Sequence, residues 1–84
     1  MIQYVIQEMI ETYQQDSGKN PAGLALGPRE YRELCYYCNS SMKFQQENPT
    51  GMVTHFMGYP VYLKELPGVD LILGYQEAFN ASYR

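Results

Sequence analysis

The sequence has no tryptophan, a single histidine, two cysteines and only six lysines and arginines against nine acids, for a net charge of −3. Each shortage removes a class of function. A scarce and scattered basic set cannot form the stripe that polymeric DNA or RNA needs. One histidine with two cysteines falls short of the four ligands of a tetrahedral zinc site, so neither a metal nor a cofactor is expected. No apolar run approaches the ~20 residues that span a bilayer. No basic segment leads into an apolar core and a small-residue cleavage site, so no signal peptide is read and cytoplasmic residence is the expectation. Catalytic constellations are missing as well. His55 has no serine, cysteine or carboxylate partner in reach of a recognisable pattern. The glycines between Gly18 and Gly27 do not have phosphate-loop spacing. The acids do not fall into a two-carboxylate arrangement. An enzyme is not expected.

What is present is apolar content of 45% and nine tyrosines in 84 residues. That is enough for one small, thin-cored domain and far too much for disorder. Tyrosine combines large area, one hydroxyl and little entropy loss, which suits adaptable binding surfaces. Most of these tyrosines are read more plainly as half-buried residues at helix and strand edges.

Ile2, Val5, Ile6, Met9, Ile10 and Tyr13 recur at helical spacing, with Gln3, Gln7, Glu8 and Glu11 opposite them. A helix is predicted over 2–16, ending at Gly18 in a left-handed cap. Gly23-Leu24-Ala25-Leu26 is a short apolar run and reads as a buried strand over 23–26. Gly27 is a fit N-cap, Pro28 a fit first helical residue, and Glu30 a carboxylate suited to the helix dipole. A second helix is predicted over 28–44, with Tyr31, Leu34, Cys35, Cys38 and Met42 inward.

Residues 52–75 read as a meander of short antiparallel strands. Met52–Met57 runs to Gly58; 60–64 and 69–73 follow, joined by Leu66-Pro67-Gly68. Val61 and Leu63 are expected on the buried side of the middle strand, Tyr62 and Lys64 on a wet or interface side. The last strand is nearly all apolar and is expected to be central. Residues 76–84 are left as a tail. The fold class is therefore α+β: two amphipathic helices on a small, mainly antiparallel sheet of three to four strands, in one domain over 1–84. Ile6, Ile10, Leu34, Cys35, Val61, Leu63 and Ile72 are expected to be buried together.

The run Pro21-x-Gly-Leu-Ala-Leu-Gly-Pro28 followed by Glu30-Tyr31-x-x-Leu34 resembles a piece of tailed-phage major capsid proteins, in which a short strand leads into a Pro-capped helix. Phe56-Met57-Gly58-Tyr59-Pro60-Val61, then Leu66-Pro67-Gly68, Ile72-Leu73-Gly74-Tyr75 and Arg84, resembles the next piece. The resemblance covers about residues 21–84. It implies a phage origin and a core like the peripheral domain of those proteins. A shell-forming capsid protein is several times longer and carries an axial domain and an extended loop, for which this chain has no room. The resemblance thus points to a small accessory protein on a capsid-like core, and fold likeness leaves its function open.

Cys35-x-x-Cys38 lies inside the second helix on its apolar side, not at a helix start where a thiol is activated. It reads as a pair of buried, reduced cysteines. The Gly27-Pro28-Arg29 helix start offers free N–H groups beside a guanidinium, and Arg32 stands one turn on, beside Tyr31 and Tyr36. Phosphate contacts from Arg29 and Arg32 with a stacking face from Tyr36, Tyr59 or Tyr62 would suit a phosphorylated base. His55 reads as a strand-edge residue or a further ligand contact. The plainer alternative is a helix cap with solvated arginines.

These readings lead to a non-catalytic phage-type accessory protein. It would bind and sequester a nucleotide-like defence signal or a host protein, as a homo-oligomer with the ligand near a subunit boundary. A capsid-associated assembly role and a small regulator of host origin are the alternatives.

Overall fold

The computed structural model describes residues 1–41 and 52–74. The expectations for Met42, the rest of the predicted second helix, the polar loop before residue 52, Tyr75 and the tail lie outside the described residues. The chain is an α+β fold: α1 (Ile2–Ser17), β1 (Gly23–Leu26), α2 (Pro28–Ser40), β2 (His55–Phe56), β3 (Tyr59–Leu63) and β4 (Val69–Ile72).

Local chemistry sets the helix ends. Gly18 stops α1 with φ 69° and ψ 13°, and its N–H donates to the Gln14 carbonyl. Gly27 is the extended N-cap of α2, with Pro28 at the first turn. At the other end Ser41 is extended, with φ −116°, so α2 stops at Ser40 and not at 44 as its periodicity suggests.

The sheet corrects the expected meander. Its order is β2-β3-β1-β4. β1 lies between β3, which it pairs in parallel, and β4, which it pairs antiparallel. The central strand is therefore Gly23-Leu24-Ala25-Leu26, buried along its whole length, and β4 is at an edge. Leu66-Pro67-Gly68 does not close a hairpin; it carries the chain from β3 over the end of β1 to β4, about 10 Å away at the usual strand spacing. The antiparallel hairpin that does form joins β2 to β3, with Phe56 opposite Tyr59. The run expected from Met52 to Met57 is a strand only at His55–Phe56.

Both helices cover the sheet face that carries Leu24 and Leu26. Ile2, Ile6 and Ile10 from α1 and Leu34 and Cys38 from α2 join those leucines, Val53 and Phe56 in one core. Cys35 and Val61 are only half-buried against it, and Leu63, expected inside, is 49% exposed. Ile72 is buried but, in register with Gly23, it lies on the other sheet face. On that far face Tyr62 lies over Gly23, where an added Cβ would stand 3.1 Å from the ring. Lys64, expected on a wet or interface side, has a side chain only 10% exposed and reaches Asp70 at 2.9 Å.

Met57 and Gly58 form the loop of the β2–β3 hairpin with φ 54° and 85°. Two successive positive φ values make the type I′ turn that matches strand twist. Glycine is at home there and methionine is not. Met57→Asn should therefore stabilise the protein by roughly 0.5–1 kcal/mol and raise its thermal midpoint by several degrees. An unchanged or lowered midpoint would show that this turn does not hold the hairpin.

Candidate functional site

Arg32 and Tyr36 stand one turn apart on the outer side of α2. With Met1, Ile2, Gln3, Glu33, Tyr37 and Ser40 they line a groove of ≈ 490 Å³ between the start of α1 and α2. The spacing explains the pairing: residues four apart share a helix face. Tyr36 and Met1 are each 78% exposed, so the groove has an aromatic and a thioether lip. Ile2 belongs to the core and closes the bottom. Arg29, a turn before Arg32, is exposed at the start of the same helix and does not line the groove.

The N-terminus of α2 is already served by a carboxylate of the chain. Glu30 Oε1 accepts the Gly68 N–H at 3.1 Å, and the Gly27 N–H donates to the Gly68 carbonyl at 3.0 Å. The Gly68 N–H, and then Glu30's own backbone N–H, hold the Glu30 carboxyl below the usual carboxylate range. The contact is thus complete above that range and weakens as acid protonates Glu30. Sequence reading recognised Glu30 as a dipole partner but not as the clasp on a distant turn. Lys64 completes the clasp, donating to the Pro67 carbonyl at 3.2 Å.

The remaining candidates lie elsewhere. Tyr59 packs against the core, and its hydroxyl donates to Asn20 Oδ1 and accepts from Gln14 Nε2, both at 3.3 Å. Gln14 is eleven positions along α1 from Gln3, roughly 16 Å from the groove. His55 is exposed on β2, its Nδ1 3.1 Å from Thr54 Oγ1. Tyr62 is in register with Ala25 and so faces away from both helices. The structure brings together Arg32 and Tyr36 and separates Tyr59, Tyr62 and His55 from them. Sequence reading places Ile2 on the apolar stripe of the first helix and Tyr37 beside the stripe of the second, and gives Met1 no role; it reads none of the three as a groove residue.

Neither Cys35 nor Cys38 is in a disulfide, and Cys38 is fully buried. Burial raises the pKa of the Tyr31 phenol, the neighbouring Cys35 adds to the rise, and the hydroxyl donates to the Val53 carbonyl at 3.0 Å. Among the described residues no three His, Cys, Asp or Glu side chains cluster as metal ligands. No described helix is long and apolar enough to cross a membrane. Compared with known protein families, curated proteins and solved structures, the chain matches none.

Proposed function

We propose that the chain is a non-catalytic phage-type accessory protein that binds and sequesters a small nucleotide-like ligand in the groove between α1 and α2. One observation carries the reading: Arg32 and Tyr36 face the same groove, whose volume of ≈ 490 Å³ suits a ligand of nucleotide size. Arg32 supplies a charge-assisted contact to a phosphate, and Tyr36 a face on which a base stacks. Glu33 on the same groove limits the negative charge it accepts. A monoanionic phosphodiester, as in a cyclic nucleotide, therefore fits better than a triphosphate. A closed homo-oligomer would cover the exposed Met1 and Tyr36 and place the ligand at a subunit boundary.

Calorimetry with cyclic and linear nucleotides tests the proposal. The parent should bind a cyclic nucleotide, and Arg32→Ala should weaken that binding about tenfold or more, with the oligomer mass unchanged. Arg29→Ala should matter little. No heat with any nucleotide from the folded protein would sink the ligand reading and favour capture of a host protein. Abundant copies in purified virions would favour the assembly role instead.

A further inference from the structure

A second groove, of ≈ 470 Å³, runs along α1 beside β4. Val5, Met9, Tyr13 and Leu71 give it apolar walls, and Glu8 and Asp16 give it acidic positions. It borders β4, the edge strand of the described sheet. β4 is the last strand in the order, and no other strand among the described residues pairs with its outer side. The Gly27 N–H donates to the Gly68 carbonyl, and bonding alternates along an antiparallel pair. Gly68 therefore turns its carbonyl, and Asp70 and Ile72 their backbone groups, toward β1, while Val69 and Leu71 turn theirs outward. The same alternation puts the side chains of Val69 and Leu71 on the helix side, in register with Leu26 and Leu24. An extended segment laid on this edge would hydrogen-bond to Val69 and Leu71 and send every second side chain into the groove under α1.

We propose that β4 accepts an added strand from a basic polypeptide segment, with apolar and cationic side chains alternating into the α1–β4 groove. Charge selects this occupant. α1 carries Glu8, Glu11 and Asp16 and no lysine or arginine. A second copy paired about a twofold axis at β4 would bring like acids together along the join. A cationic segment instead lays its aliphatic stems on Val5 and Met9 and its charges at Glu8 and Asp16. This site is separate from the Arg32–Tyr36 groove and does not depend on it.

The probe is the peptide acetyl-Arg-Thr-Val-Thr-Val-Thr-Arg-amide, titrated into the isotope-labelled full chain and followed by chemical shifts. Saturable changes at Val69–Ile72 and along the Val5–Asp16 side of α1 are expected, weakening as salt is raised. The same peptide with Glu in place of Arg should not bind. Glu8→Lys plus Asp16→Lys, surface changes that should leave the fold intact, should weaken binding about tenfold. Methylation of the peptide amides that face β4 should abolish it, and methylation of the alternate amides should not. Equal binding of the Glu peptide, shifts confined to other surfaces, or no saturation at millimolar peptide would overturn the proposal. So would a parent dimer whose Val69 and Leu71 amides are protected from hydrogen exchange.

Discussion

Gly27→Ala is expected to remove at least ~3 kcal/mol of stability, a large part of what a domain of this size has. The reason is the path of the chain. The link from β3 to β4 must cross the end of the central strand, and it crosses at Gly27. A Cβ there would stand 2.7 Å from the Leu66 carbonyl oxygen and 2.8 Å from Pro67 Cα, both backbone atoms. It would also stand 2.6 Å from Glu30 Oε1, and that carboxylate is held by the Gly68 N–H. Relieving the clash means moving the turn, which breaks the Gly27–Gly68 bond and the Glu30 contact together. Other glycines are useful controls. An added Cβ at Gly18 meets nothing within 4 Å, so Gly18→Ala should cost only the ~1 kcal/mol of a left-handed residue. Denaturant unfolding of both variants gives the comparison. A Gly27→Ala midpoint close to that of the parent would show that the link does not cross there.

That crossing also marks where sequence reasoning stops. The helices were legible because their signals are local: isoleucines one turn apart, Gly18 at one end, Gly27-Pro28 at the other. The strand order was not. Leu66-Pro67-Gly68 has the composition of a hairpin turn, and nothing nearby shows that a strand from far earlier in the chain lies between the two it joins. Leu24 pairs with Val61 on one side and Leu71 on the other, contacts that no window of local pattern contains. Continuous burial of Gly23–Leu26 was the available clue, since a central strand reads as an unbroken apolar run. The weaker run at 69–73 drew the same inference, although Asp70 interrupts it. The candidate site divides in the same way. Arg32 and Tyr36 are neighbours by helical spacing alone. Bringing Tyr59 or Tyr62 to them required the sheet order and its faces, and these place both tyrosines elsewhere.

Phe56→Ala is the second large loss, about 3–5 kcal/mol. Phe56 is 2% exposed and heads the fully buried side chains by volume. Its ring meets Tyr37 of α2 edge-on, with centroids 6.3 Å apart and planes at 75°. β2 has only two residues, so its ladder with β3 contributes little on its own, and the phenyl ring is the main anchor of this strand in the core. Truncation leaves a cavity bordered by both helix and sheet. Phe56→Leu should recover much of the loss, because it restores most of the apolar volume. Leu63→Ala provides the contrast. Leu63 shares the helix-side face with Val61 yet is 49% exposed at the end of β3, so its truncation should cost much less, on the order of 1 kcal/mol. The pair decides how far the core extends along the sheet. A larger loss at Leu63 than at Phe56, measured by equilibrium unfolding, would move the core toward the end of β3 and leave β2 on the surface.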